Sequence, residues 1–194
     1  MKENVIDLIK KRRTIRKFKK RTVSVRQIKR IIEAGTWAPS AHNTQPWNFI
    51  VIKDNKKRDA LIKIMRRTSA KLLTGARVQY NGTINVIQNA PVILLVYNSN
   101  EIYNRIKRLG EPYCSIAKIS EIQSISAAIQ NMCLAAAYYR VGMTWLTMPL
   151  YSKTQISKYI REKKELMAVL ALGYGNESGK SLPRRKISDV MRFI

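Results

Sequence analysis

A chain of 194 residues, 45% of them hydrophobic, can bury roughly 70% of its unfolded surface, so a sizeable core is available to it. No Pro/Gly/Ser-rich linker, low-complexity tract or internal repeat divides it, and residues 1–194 are expected to form one domain. Its 37 lysines and arginines against 12 acidic residues give a formal charge of +25, which attracts nucleic acid, anionic lipid or phosphorylated small molecules; dispersion in runs such as Lys10 to Arg13, Lys17 to Arg21, Lys56 to Arg58 and Arg184 to Lys186 reads as a solvated surface and argues against a dedicated nucleic-acid patch.

The first apolar residues, Val5, Ile6, Leu8 and Ile9, are interrupted by Asp7, too few for a signal peptide, and make a short helix over Asn4 to Lys11. Its end delivers Arg12, Arg13, Thr14 and Arg16 in the run R-R-T-I-R-K-F. Ser24-Val-Arg-Gln27 is a capping box, and Val25, Ile28, Ile31 and Ile32 recur at helical spacing until Gly35 offers a stop. The next stretch, W-A-P-S-A-H-N-T-Q-P-W from Trp37 to Trp47, is a loop stiffened by Pro39 and Pro46, each of which pushes the residue before it toward an extended conformation. Asn48 to Lys53 reads as a strand and Lys56 to Arg66 as a basic amphipathic helix, while Asn81 to Asn89 is ambiguous.

Pro91 opens V-I-L-L-V-Y, a continuous apolar run suited to the interior of a sheet. Ser120 to Arg140 is expected to be a long helix buried on most of its circumference. The apolar stretch Ile125 to Trp145 contains Gln130, Asn131 and Arg140, and reads as that helix with a following strand, not as a membrane span. Gly142 ends the helix, T-W-L-T-M makes a strand, Ser152-Lys-Thr-Gln155 repeats the capping-box pattern, and Met167 to Tyr174 makes a last strand before a polar, basic tail. Strands separated by helices beside one long apolar helix indicate an α/β or α+β layered domain.

Few chemistries find their residues here. Cys114 and Cys133 are far apart without C-x-x-C spacing, which indicates neither a zinc site nor a disulfide framework and fits a reducing cytoplasm. In Gly173-Tyr-Gly175-Asn-Glu-Ser-Gly179 the third glycine is one position late for a dinucleotide loop and no convincing helix follows. The single histidine, His42, has no evident acidic partner or nucleophile elbow and reads as a polar loop residue. The carboxylates are few and dispersed, without the pairing that acid/base or metal-assisted hydrolysis requires. Trp37, Trp47 and Trp145 are expected to pack in the core or an interface, with Met132, Met143 and Met148 as gap-fillers. Two clusters do carry chemistry. The guanidinium forks of R-R-T-I-R-K-F match phosphate oxygens, with a hydroxyl nearby; the hydroxyls and carboxamides of the Trp37 loop suit a neutral heteroaromatic edge or a sugar chain better than a metal.

Taken together, R-R-T-I-R-K-F, then P-S-A-H-N-T-Q-P-W about two dozen residues later, and the C-terminal P-R-R-K resemble the nitroreductase family of flavin enzymes over nearly the whole chain. The resemblance implies an α+β fold with a central, mainly antiparallel sheet flanked by helices, and an intertwined homodimer with two sites at the subunit interface. It implicates Arg12, Arg13, Thr14 and Arg16, then Arg184 and Lys186, in holding the phosphate and ribityl chain of FMN, with Thr14 where relatives typically have serine. It implies Pro39, Ser40, Asn43 and Gln45 as flavin contacts reaching across from the partner, and Ser126 as a position that can also face the flavin. The segment T-M-P-L stands where relatives present a backbone amide to flavin N5 and often carry glycine or glutamate, which puts Met148, Pro149 and Leu150 at the ring.

The implied activity is an FMN-dependent oxidoreductase that passes hydride from NADH or NADPH through flavin N5 to a nitroaromatic, quinone or similar small-molecule acceptor by a ping-pong mechanism, with no catalytic side chain and no metal. The expected setting is cytoplasmic, off the membrane and without a specific nucleic-acid partner. The same fold could instead support reductive dehalogenation or flavin fragmentation. A basic module that binds nucleic acid or an anionic surface is the alternative from another class.

Overall fold

The run V-I-L-L-V-Y-N forms strand β2 (Val92–Asn98), buried at every residue, and the other strands are laid out from it. The computed structural model describes residues 4–179 and 181–194. Strands β1 (Trp47–Ile52) and β4 (Glu165–Gly173) flank β2, and β3 (Gly142–Leu146) pairs with β4, giving the order β1-β2-β4-β3 with every pairing antiparallel. An antiparallel sheet with one wet face shows alternating polarity; β2 does not, because helices cover both of its faces. Val92, Leu94 and Val96 share one core with Ile28 and Ile31 of α2 (Val25–Thr36) and with Ala128, Ile129 and Met132 of α6 (Tyr113–Tyr138). Ile93, Leu95 and Tyr97 share the other with Leu61 and Met65 of α3 (Asn55–Ser69), Ile84 and Ile87 of α4 (Thr74–Asn89), and Ile156 of α7 (Lys153–Ile160). Each of these large side chains contributes about 1.5–3 kcal/mol by leaving water. Two short helices, α1 (Val5–Lys11) and α5 (Glu101–Ile106), complete the α+β arrangement.

The Ser24 capping box is formed, with Gln27 N donating to Ser24 Oγ at 3.2 Å and Ser24 N to Gln27 Oε1 at 3.4 Å. The second box is not. Ser152 Oγ donates to Thr68 Oγ1 at 2.7 Å and lies 2.5 Å from Tyr80 Oη, so buried tertiary partners have taken the hydroxyl from its own helix. Helix α6 begins at Tyr113, not Ser120, because Ser120 satisfies its hydroxyl on Ile116 O at 2.9 Å within the helix, and the chain turns only at Pro112. The ambiguous Asn81 to Asn89 is the second half of α4. Gly35 does not stop α2; it lies buried inside it against Met132. Strand β3 closes at Leu146, and Met148 to Ser152 coil into a 3-10 turn. Trp47 is 7% exposed, as expected of a core residue, whereas Trp37 is 82% exposed. Both cysteines are buried and unpaired. No helix among the described residues is long and apolar enough to cross a membrane.

Candidate functional site

Beyond α1 the chain runs along the open edge of the sheet. Ile15 N donates to Met143 O at 3.2 Å, and the Thr144 hydroxyl donates back to Ile15 O, which fastens the arginine segment to β3. Two residues later the segment crosses to the exit of β4, where Phe18 bridges to Gly175, Asn176 N donates to Lys17 O at 2.9 Å and Lys19 N to Tyr174 O at 2.8 Å. At the crossing, Arg16 N and Lys17 N both donate to Glu177 Oε1, at 2.7 and 3.2 Å. These amides, that of Arg16 foremost, hold the Glu177 carboxyl below its ordinary pKa.

The glycines of G-Y-G-N-E-S-G are explained by the same crossing. A Cβ at Gly179 would stand 2.5 Å from Arg13 Cβ, and one at Gly173 would stand 2.8 Å from a Phe18 ring carbon. The loop is a saddle for the arginine segment, not a dinucleotide loop, and no α-helix follows it among the described residues.

Saddle, segment and α6 enclose an open cleft of 970 Å³ whose lining includes Lys10, Arg12, Arg13, Thr14, Arg16, Lys17, Arg184 and Glu177. The expected residues Arg12, Arg13, Thr14, Arg16 and Arg184 therefore meet at one place, while Lys186 is exposed outside the lining. Arg13 is already engaged: Nη1 donates to Arg12 O at 2.9 Å and to Lys10 O, and Nη2 to Ser181 Oγ at 3.1 Å. The guanidinium groups of Arg12 and Arg16 have no hydrogen-bond partner among the described residues, and the Arg12 charge is felt by the buried Cys133. Burial outweighs that charge and pushes the Cys133 thiol up to about 11.

The Pro39 to Trp47 loop stands at the other end of the sheet. Trp47 pairs with Asn98 and Asn98 with Glu165, whereas the arginine segment sits by Gly142 and Gly173, a strand's length or roughly 20 Å away. The loop closes on its own side chains. Gln45 N donates to Ser40 Oγ at 3.1 Å, Gln45 Nε2 to Asn43 Oδ1 at 3.3 Å, and Thr44 Oγ1 to Ala41 O at 2.9 Å; the distant bonds are from Ala41 N to Ser124 Oγ on α6 at 3.2 Å and from Ser99 N to Pro46 O at 2.9 Å. That closure coils the backbone so tightly that His42, Asn43 and Gln45 have φ of 52°, 52° and 47°. The expectation that Pro46 holds Gln45 extended is therefore wrong: the bond to Ser40 overrides the steric preference imposed by proline. Ser126 is half-buried on α6. Met148 and Leu150 line a second hollow of 470 Å³, at the Glu165 end of the sheet, and Pro149 between them in sequence is buried.

Glu177 escaped the sequence reading. Its signal is a carboxylate in a glycine-punctuated stretch that runs into a basic tail.

The profile of the Nitroreductase family matches residues 9–174. The chain belongs to the nitroreductase family. Among nitroreductase relatives, a protein of Archaeoglobus fulgidus provisionally named NADH dehydrogenase/NAD(P)H nitroreductase is 27% identical over 184 residues, covering 89% of this chain and 86% of that one. The iodotyrosine deiodinase of Thermotoga neapolitana is 23% identical, over 93% of this chain and 94% of its own. Among solved structures, the FMN complex of a provisionally named nitroreductase from Desulfovibrio desulfuricans superposes with a TM-score of 0.75 at 27% identity, covering 98% of this chain and 96% of that one. The four-stranded antiparallel sheet flanked by helices is thus the nitroreductase fold, and the family places the chain among oxidoreductases.

Proposed function

We propose that this chain is an FMN-dependent oxidoreductase that uses NADH or NADPH to reduce a nitroaromatic, quinone or similar electrophile. The observation that carries the reading is the convergence of Arg12, Arg16 and Arg184 with the Thr14 hydroxyl on one cleft. The Arg12 and Arg16 guanidinium groups, without acceptors among the described residues, and that of Arg184, held only by a 3.5 Å bond to Leu182 O, fit beside a hydroxyl the phosphate end of a flavin nucleotide. Arg12, Thr14, Arg16 and Arg184 would hold that phosphate, with Arg13 fixing the tail at Ser181 and Lys186 closing from outside. Among the described residues no group of three or more His, Cys, Asp or Glu side chains could hold a metal ion, so the donor set favours an organic anion over a cation. Bound FMN would supply the redox centre, accepting hydride from the nicotinamide and passing electrons to the acceptor in a ping-pong sequence. The chain's own part is to bind, orient and shield, with protons drawn from solvent.

The remaining contacts are assigned to a second copy of the chain. Ile116, Ile119 and Ile122 on α6, and Leu182, Val190, Phe193 and Ile194 in the tail, are exposed in one copy, and a homodimer gives these apolar side chains cover. The loop bearing Pro39, Ser40, Asn43 and Gln45 leads into β1, the edge of the sheet opposite to the β3 edge that carries the arginine segment of its own chain, which favours its use by the partner's site, with Ser126 on the same interface. Met148, Pro149 and Leu150 would border the ring. At +25 per chain, self-repulsion requires that interface to be large and apolar. We further propose that residues 1–194 are one domain and that the protein works in the cytoplasm.

The visible absorption of the freshly purified protein tests the reading. Oxidised-flavin bands, with FMN released on denaturation at about one per chain, support it; a colourless chain that takes up no added FMN overturns it. The relation to iodotyrosine deiodinases supports a second reading, reductive dehalogenation of a halogenated aromatic on the same cofactor. Rapid oxidation of the reduced protein by a halotyrosine, with no response to nitroaromatics or quinones, would select it.

A further inference from the structure

Among the side chains that line the arginine cleft, Glu177 is the carboxylate in the company of six cations, Lys10, Arg12, Arg13, Arg16, Lys17 and Arg184. A negative charge there opposes an anionic ligand unless it is occupied elsewhere, and it is occupied by the backbone. Ile15 N bonds to β3 through Met143 O, and Lys19 N bonds beyond β4 through Tyr174 O. Between them the segment changes strands, and the amides of Arg16 and Lys17 take Glu177 Oε1 at 2.7 and 3.2 Å in place of a neighbouring strand's carbonyl. Bonds from amides to an ionised carboxylate are stronger than those to a neutral carbonyl. The carboxyl stays ionised, since the amides and the adjoining Arg16 and Lys17 charges all favour its charged form. Gly179, two residues on, lets the same loop pass against Arg13, where a Cβ would come to 2.5 Å.

We propose that Glu177 is a positioning residue for phosphate recognition: by tying down the Arg16 and Lys17 amides it aims the Arg12 and Arg16 guanidinium groups into the cleft and so sets the preference for FMN over riboflavin. The inference rests on the FMN reading given above and adds to it a residue that makes no contact of its own with the ligand. A carboxylate in a phosphate site is thereby accounted for. Its charge is spent on the chain, and the net field presented to the ligand remains positive.

FMN and riboflavin differ by the phosphate alone, so titrating both into the flavin-stripped full-length protein, followed by flavin fluorescence, isolates the effect. Glu177→Ala should lower FMN affinity about tenfold and leave riboflavin affinity within about twofold. Glu177→Gln, whose amide oxygen can still accept both bonds, should keep FMN affinity within about threefold of the wild type. Gly179→Ala, which displaces the loop without removing the carboxylate, should reproduce the alanine pattern at position 177. Equal losses for FMN and riboflavin in Glu177→Ala would make the residue merely structural and overturn the inference, as would a Glu177→Gln protein as impaired as Glu177→Ala. A wild-type protein that binds neither flavin, or binds both equally, overturns the phosphate reading itself, which separates the two failures.

Discussion

The arginine segment from Arg12 to Phe18 and the loop from Trp37 to Trp47 are both short and irregular, and they are held in opposite ways. Past Arg13 the bonds of the segment are long-range. Met143, Thr144, Gly175, Asn176 and Glu177, all more than a hundred residues away in sequence, supply its partners there. The loop is bonded chiefly to itself, through Ser40, Ala41 and Asn43, at the expense of three residues in left-handed backbone conformations. A region shaped from afar is only as well placed as its distant partners, whereas a self-bonded loop keeps its shape and carries its own strain.

The largest effect should come from removing the segment's free cations. Arg12→Ala combined with Arg16→Ala is expected to keep the far-ultraviolet circular dichroism of the wild type and to lose FMN affinity by about a hundredfold or more, at roughly 1.5–3 kcal/mol for each charge-assisted contact; unchanged affinity would remove the segment from the site. Next is the effect of acid. Because the folded-state pKa of Glu177 is lowered, its contribution is complete above the ordinary carboxylate pKa of about 4.3 and is lost as pH falls through the lower folded value. FMN affinity of the wild type should therefore fall more steeply than that of Glu177→Gln once pH drops through that lowered folded value, which lies under about 4.3, and the two profiles should run parallel above it. Parallel profiles throughout would show that the ionised carboxylate does not hold the segment.

The strained loop should respond in the opposite sense. Gln45→Gly relieves a φ of 47° and is expected to stabilise the fold by about 1 kcal/mol, raising Tm by about 2–4 °C. A lowered Tm would mean that the Gln45 amide bond to Asn43 matters more than the strain. The smallest and most local effect concerns Cys133, whose Sγ lies 3.5 Å from Met143 Sδ, beneath the strand residue to which Ile15 is fastened. With its thiol pushed up to about 11, Cys133 should resist alkylation in the native wild type at pH 8 and react several-fold faster, by a rough estimate, in Glu177→Ala if the segment lifts. An unchanged alkylation rate would show that the segment stays seated without its carboxylate.

This contrast also explains what could be read from the sequence. The Ser24 box, the buried β2 run and the P-S-A-H-N-T-Q-P-W loop are local patterns whose causes lie within a few residues, and the structure realises each of them. The family motifs led to the fold for the same reason. Ser152 misled because its hydroxyl is claimed by Thr68 and Tyr80, which no window around residue 152 contains. Gln45 misled because a steric rule about proline was set against a hydrogen bond five residues away. Glu177 went unread because its partners lie 161 and 160 residues distant, and a glycine-rich loop was compared with a nucleotide motif when its glycines serve the approach of Arg13 and Phe18.

Strand β2, paired on both sides and covered on both faces, also sets a clock for the molecule. Its amides can meet solvent deuterons only when the sheet as a whole comes apart, so their exchange reports global unfolding. The amides of Arg16 and Lys17 are protected by one exposed carboxylate, and local fluctuation is enough to release them. The interval between the two exchange rates measures, in a single deuterium-uptake experiment, how far the arginine segment can loosen while the rest of the protein remains folded.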